Sequence, residues 1–269
     1  MKKIRCIVPG LGESWLILLL IVIGQVAASL IQGAAGLYGD MYMPFVYVLS
    51  FVPAVAYCLF PGRRKCDSLL RPVSVSFGTL GPWLFIPLAV MVELAVIYLL
   101  SSVPFELKMP PQVEIAFAAM YGRDVVWTLL TVSVAAPLLE ELMFRRIILS
   151  GLLRRMSAWK AVAWSSLLFA VAHLNPWQAL PAFAMGCLFG WIYYRTRSYW
   201  TVVSLHAVNN TLTIVVAKVL GVQTALEGSM QDIVGEGLFY PLLAASFVIA
   251  VSGVLIINKS VSSSHTNIQ

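Results

Sequence analysis

Eight apolar runs dominate the sequence and limit what the chain can fold into. They extend over about 14–32, 41–60, 80–100, 126–150, 159–174, 177–194, 200–218 and 238–257. A helix needs about 20 apolar residues to cross the roughly 30 Å hydrocarbon core of a bilayer, and most of these runs approach that length. The sequence therefore predicts an all-α membrane protein, a polytopic bundle of about eight transmembrane helices.

Composition and charge agree with this prediction. Hydrophobic residues make up 60% of the 269 residues and charged residues only 11%, against about 25% charged residues in soluble domains. Basic residues cluster at 2–5, 63–71, 154–160 and 195–197, in alternate loops, as cytoplasmic loops do. We therefore expect a multi-pass protein of a bacterial plasma membrane with both termini cytoplasmic. Loops facing anionic lipid then explain the net charge of +6, so the expected partner is the lipid bilayer and no nucleic acid.

The runs predict one continuous helical bundle. A single transmembrane domain is expected over 1–259, followed by a polar cytoplasmic tail over 260–269. The longest external connection, 101–123, contains a stretch at 114–121 that favours a short helix at the membrane interface. Glu93, in the third run, is expected to reach the outer membrane surface with its carboxylate.

Polar side chains interrupt three of the later runs at a similar depth. Counting 1.5 Å per helical residue from the nearest basic loop places Glu140 and Glu141 about 20 Å inside the membrane. The same count places His173 and Asn210 at about 20 Å and His206 at about 14 Å. Intramembrane polar residues are costly, face the interior of the bundle and usually mark function. We therefore expect these residues to converge on one site.

Spacing suggests different roles for the two adjacent carboxylates. Glu141 and Arg145 are four residues apart, so they can form an ion pair on one helical face and act as a structural clamp. Glu140 is rotated by about 100° from Glu141 around the helix, and is therefore predicted to project into a cavity. There it can act as a general base toward a water molecule.

The same four-residue spacing occurs in the other two runs. Phe169 and His173 can place an aromatic wall beside an imidazole, and His206 and Asn210 can aim two donors at one point, as an oxyanion site requires. A structural alternative stays open for each of them, because an intramembrane histidine or asparagine often forms a hydrogen bond between helices.

These residues carry a resemblance to a known family. EELMFR at 140–145 matches EExxxR, FAVAH at 169–173 matches FxxxH, and HAVNN at 206–210 contains HxxxN. With the three motifs in this order, the chain resembles the CAAX-protease and bacteriocin-processing (CPBP) family of intramembrane proteases, which includes the type II CAAX prenyl endopeptidases. The resemblance covers about 124–218, the family-like catalytic core.

The resemblance implies a hydrolase, an endopeptidase that cleaves a peptide bond of a membrane-associated peptide or protein, lipidated or not. It implies that Glu140 and His173 activate water and that His206 and Asn210 stabilise the oxyanion. The remaining motif positions would have supporting roles; they are Glu141, Arg145 and Phe169.

Two alternatives to this interpretation stay open. Two histidines and a glutamate can also bind zinc, which would make the protein a zinc-dependent metalloprotease. The sequence has no HExxH pair, so we expect metal-free catalysis without a cofactor. Buried charges also occur in ion-coupled or proton-coupled transporters, but here they lie in one half of the chain and not in corresponding positions of two halves.

Overall fold

A computed structural model describes residues 8–59, 74–103, 109–222, 224 and 228–261. The regular secondary structure in these ranges is helical and contains no strand. The helices are α1 (Leu11–Ala34), α2 (Met43–Leu59), α3 (Gly81–Ser101), α4 (Pro111–Gly122), α5 (Val125–Leu152), α6 (Ala158–Ala172), α7 (Pro176–Thr196), α8 (Tyr199–Leu220), α9 (Met230–Val234) and α10 (Glu236–Ser260).

Each of the eight predicted runs contains a helix, which confirms the prediction of an all-α polytopic membrane protein. Six helical segments in the described ranges are long and apolar enough to cross a membrane: Leu11–Ala34, Asp40–Leu59, Gly78–Ser101, Val125–Leu152, Tyr199–Leu220 and Glu236–Ser260. Helix α6 is apolar but has only 15 residues, which is a length of about 22 Å. Helix α7 has 21 residues but is not among the six.

The segments between and after the long helices were also the subject of predictions. Helix α4 includes the stretch 114–121, so the short helix expected in the external connection is present. The predicted polar tail lies, from residue 262 onward, outside the described residues, as do the basic clusters at 2–5 and 63–71.

Helix α5 carries the two glutamates and is not a uniform α-helix. Its segments Leu129–Ala135 and Leu142–Leu149 are π-helical, and the six-residue α-helical segment Ala136–Glu141 lies between them. Pro137 is the second residue of this short segment and has no backbone N–H to donate. Since π-helical turns occur frequently at functional sites, the winding of α5 singles out the segment that ends in Glu140 and Glu141.

The chain divides into two compact units. The first contains residues up to 73 and 122–191, and the second contains 74–121 and 192–269. Helices α1, α2, α5, α6 and most of α7 therefore belong to the first unit, and α3, α4, α8, α9 and α10 belong to the second.

In the first unit, α1 and α2 pack at backbone contact. A Cβ atom on Gly24 would lie 1.9 Å from the carbonyl oxygen of Ser50, so only glycine permits this approach. Helix α2 also contacts α5, and α6 contacts both α1 and α5. Four helices thus surround a common interior, and Ile21, Phe51 and Phe144 are buried in it.

In the second unit, α3 packs mainly against α10. A Cβ atom on Gly253 would lie 2.2 Å from Cγ2 of Val92, so the two helices approach closely at this level. Nearer one end of the pair, the Tyr98 hydroxyl donates a hydrogen bond to the Phe239 carbonyl over 3.3 Å. Helix α3 also contacts α8, so it lies between two neighbours.

The position of Glu93 in this packing corrects one prediction. Its side chain is 0% exposed, and neither carboxylate oxygen has a hydrogen-bond partner among the described residues. The expectation that it reaches the membrane surface is therefore wrong. Glu93 is eight residues from the end of α3 at Ser101, a distance of about 12 Å that its side chain cannot span.

Candidate active site

A cavity of about 190 Å³ lies in the first unit, between α1, α2, α5 and α6. Two of the predicted catalytic side chains line it: Glu140 from α5 and His173 at the end of α6. The other lining residues are Ile21, Gln25, Tyr47, Phe51, Phe144, Phe169 and Ala172. The structure therefore brings the predicted base and the predicted histidine to one cavity, whose walls combine polar and apolar side chains.

Glu140 has a partner that sequence reasoning missed. The phenolic hydroxyl of Tyr47, on α2, donates a hydrogen bond to Oε1 of Glu140. Tyr47 lies in an apolar run and belongs to no recognisable motif, so no local pattern pointed to it. Gln25 offered a clearer signal, because it is a polar side chain in the middle of α1 and intramembrane polar residues tend to face the interior.

The predicted ion pair between Glu141 and Arg145 is present. Arg145 Nε lies 3.1 Å from Glu141 Oε2, and the two side chains are 1% and 0% exposed. Both charges are thus withdrawn from solvent, and their mutual attraction offsets part of the cost of burying them.

The guanidinium group of Arg145 also connects three helices of the first unit. It lies over the ring of Phe169 on α6, 4.5 Å from the centroid, and within 5.9 Å of the ring centroid of Phe189 on α7. One of its terminal nitrogens donates to the carbonyl oxygen of Gly186 over 3.4 Å. Cation–π contacts of this kind are attractive, so Arg145 stabilises the packing around the glutamate pair.

His173 is held at the point where α6 ends. Leu174, the next residue, has a positive φ of 51°, which terminates the helix. The imidazole Nδ1 lies 2.9 Å from the Phe169 carbonyl oxygen, and a carbonyl can only accept, so Nδ1 carries the proton. In the neutral ring Nε2 is then the acceptor. The Phe169 ring packs edge-on against the imidazole at 4.9 Å between centroids, which is the predicted aromatic contact.

His206 and Asn210 lie on α8 in the second unit. The four-residue spacing places them on one face of that helix. His206 is 4% exposed, and the carboxamide oxygen of Asn210 accepts a hydrogen bond from Asn209 Nδ2 over 3.0 Å. Their assignment as oxyanion donors stays a prediction.

A zinc site requires three or four ligands from histidine, cysteine or carboxylate side chains. The described part of the chain contains no group of three or more such side chains placed to hold a metal ion. Metal-free catalysis stays a prediction, and no catalytic step below uses a metal.

Fold and site together define a class: a polytopic helical membrane protein whose glutamate and histidine motifs meet at an intramembrane cavity. Comparison with known proteins finds a family to which part of the chain is similar. Residues 122–212 match the family described as "Type II CAAX prenyl endopeptidase Rce1-like", a segment that includes all seven predicted site residues. The resemblance seen in the motifs is thereby confirmed, and this segment of the chain is similar to that family.

Two curated relatives are similar to part of the chain. The chain is 34% identical over 110 residues to "Putative membrane peptidase YdiL" of Bacillus subtilis (strain 168), which is 40% of this chain and 44% of that protein. It is 31% identical over 101 residues to "Membrane-embedded CAAX protease MroQ" of Staphylococcus aureus (strain USA300). This match covers 35% of this chain and 40% of that protein. The chain thus covers less than half the length of these relatives. No solved structure is significantly similar to it.

Proposed function

We propose that this protein is an intramembrane endopeptidase that hydrolyses a peptide bond of a membrane-associated peptide or protein. The observation that carries the proposal is the shared cavity, which presents Glu140 and His173 together. The names of the relatives, a membrane peptidase and a membrane-embedded CAAX protease, support the same class of reaction.

The proposed reaction starts with a water molecule in the cavity. Glu140 takes one proton from the water while Nε2 of His173 orients it, and the oxygen attacks the carbonyl carbon of the scissile bond. A tetrahedral oxyanion forms, and the C–N bond then breaks. The proton held by Glu140 passes to the departing amine, so the products are a carboxyl group and a free amine.

The oxyanion requires donors that are in place before it forms. His206 and Asn210 are the proposed donors, as the HxxxN motif implies. Glu141, Arg145 and Phe169 do not touch the substrate in this proposal. They hold α5 and α6 in the arrangement that places Glu140 beside His173.

The substrate is proposed to reach the cavity from the membrane. The phenylalanine side chains that line the cavity suit an apolar segment of a peptide, and a lipid anchor on the substrate would concentrate it in the bilayer. Both termini of the enzyme are proposed to be cytoplasmic, because the basic clusters at 154–160 and 195–197 then face the cytoplasm.

Cleavage of a peptide library by the purified protein tests the proposal. We expect Glu140→Gln to lower kcat by at least about 100-fold, the lower range for losing a general base, without a change in melting temperature. The matched control is Glu114→Gln on α4, which removes the same charge away from the motifs and should retain activity. Cleavage that persists in Glu140→Gln would contradict the assignment of the base.

Two further experiments test whether the reaction needs a metal ion and whether the substrate needs a lipid anchor. Cleavage that is unchanged by a chelator supports the metal-free reaction, and loss of cleavage with chelator, restored by zinc, would contradict it. Peptides with and without a C-terminal prenyl group, at equal concentration, test whether a lipid anchor on the substrate is needed.

A further inference from the structure

Tyr47 is connected to the proposed base by a direct contact. Its hydroxyl donates to Oε1 of Glu140, and the two side chains line the cavity together with His173. Tyr47 lies on α2, outside the segment 122–212 that matches the family. Helix α2 therefore contributes to the candidate active site through a residue that the motifs do not include.

Several contacts hold Tyr47 in this position. Its ring packs against Phe51 with centroids 5.4 Å apart, and its carbonyl oxygen accepts a hydrogen bond from Ser50 Oγ over 2.6 Å. Ser50 also meets Gly24 of α1 at backbone contact, which fixes α2 against its neighbour. The phenol is therefore already oriented when substrate arrives, as efficient catalysis requires.

The contact of Glu140 with Tyr47 differs in kind from the contact of Glu141 with Arg145. Glu141 pairs with a cation, Arg145, at 3.1 Å, whereas the hydrogen bond from Tyr47 comes from a neutral hydroxyl. A neutral donor orients a carboxylate without cancelling its charge, whereas a cation in contact stabilises the charged form strongly. The hydrogen bond from Tyr47 thus acts on the orientation of the Glu140 carboxylate.

We propose that Tyr47 is a positioning residue for the reaction. By holding Oε1 of Glu140, it sets the orientation of the carboxylate so that Oε2 takes the proton from the attacking water. This role rests on the proposed peptidase function, and it adds the α1–α2 pair to the machinery that the CPBP motifs define.

Kinetics of Tyr47→Phe test the role. The variant keeps the ring and its contact with Phe51 and removes only the hydroxyl. Since catalysis depends steeply on the placement of the reacting groups, we expect kcat to fall by about 10- to 100-fold. KM should stay within about twofold, because binding of the substrate does not use the hydroxyl.

The matched control is Tyr57→Phe, which removes a hydroxyl from the same helix at a residue that does not line the cavity. It should retain the kcat and KM of the wild type, and the two variants should melt at similar temperatures. A fall in kcat that accompanies a lower melting temperature and a higher KM would indicate a structural role and overturn the proposal.

Infrared difference spectroscopy examines the contact without substrate. Subtracting the spectrum of Glu140→Gln from that of the wild type isolates the carboxyl band of Glu140, and the same subtraction in the Tyr47→Phe background should give a shifted band. A band at the same frequency would show that the hydroxyl does not bind Glu140 and would overturn the proposal.

The outcomes separate this inference from the function on which it rests. Glu140-dependent cleavage with an unchanged kcat in Tyr47→Phe overturns the role of Tyr47 alone. Absence of any Glu140-dependent cleavage by the wild type, with all peptide classes, overturns the proposed function and the role together.

Discussion

Glu141 in the first unit and Glu93 in the second are two fully buried glutamates with opposite surroundings. Both are 0% exposed. Glu141 forms an ion pair with Arg145, which also contacts Phe169. Glu93 lies on the tightly packed helix α3, and neither of its carboxylate oxygens has a hydrogen-bond partner among the described residues. Burial alone therefore does not predict how a carboxyl group affects the stability of the protein. The groups that it contacts decide this effect.

Removing the cation of the paired glutamate should have the largest effect on stability. Arg145→Met keeps much of the side-chain volume but leaves Glu141 as a buried charge without its cation. Loss of one partner from a buried pair costs about 3–5 kcal/mol, so we expect a decrease of that size in the free energy of unfolding. Unfolding of the purified protein in mixed micelles by SDS titration measures it.

The double variant Glu141→Leu/Arg145→Met is the control for this prediction. It removes both charges, so it should regain a large part of the stability that Arg145→Met loses. If the double variant is no more stable than Arg145→Met, Arg145 acts through its aromatic contacts and the ion pair contributes little.

Replacing Glu93, the glutamate without a hydrogen-bond partner among the described residues, should change the free energy of unfolding in the opposite direction. Glu93→Leu replaces a buried carboxyl by an apolar side chain of similar size. An unsatisfied buried polar group costs about 1–3 kcal/mol, so we expect the unfolding free energy to rise by up to that amount. Glu93→Gln keeps a polar group there and should gain less. A loss of stability in Glu93→Leu would mean that the carboxyl has a favourable partner, and the contrast with Glu141 would fail.

A third carboxylate extends the comparison to an accessible site. Asp40 and Arg123 form an ion pair at 2.7 Å, but the Arg123 and Asp40 side chains are 37% and 30% exposed. Arg123→Ala should give the smallest change in melting temperature of the three, because exposed pairs contribute little and are screened by salt. The difference from wild type should shrink further in high salt. Asp40→Ala should lower the melting temperature more, because it also removes the acceptor of the Asp124 backbone N–H, which lies at 2.9 Å from Asp40.

The local features of the candidate site could be predicted from the sequence. The ion pair of Glu141 with Arg145 and the contact of Phe169 with His173 follow from four-residue spacing, since helical geometry brings such residues together whatever surrounds the helix. Depth counting also brought Glu140 and His173 to a common level, and both line the same cavity. The same counting could have predicted that Glu93 lies too deep to reach the membrane surface. It could not have predicted that Glu93 has no hydrogen-bond partner among the described residues.

Sequence by itself determined that this chain is a helical membrane protein and which short motifs it carries, because apolar run length and residue spacing are local properties. Only the tertiary structure decided that Tyr47 and Gln25 share the cavity with Glu140, and that π-helical turns flank the glutamate pair. The face that a helix presents to its neighbours depends on contacts between distant segments, such as Gly24 against Ser50. No periodicity within a single apolar run encodes such contacts, because almost every position in the run is hydrophobic.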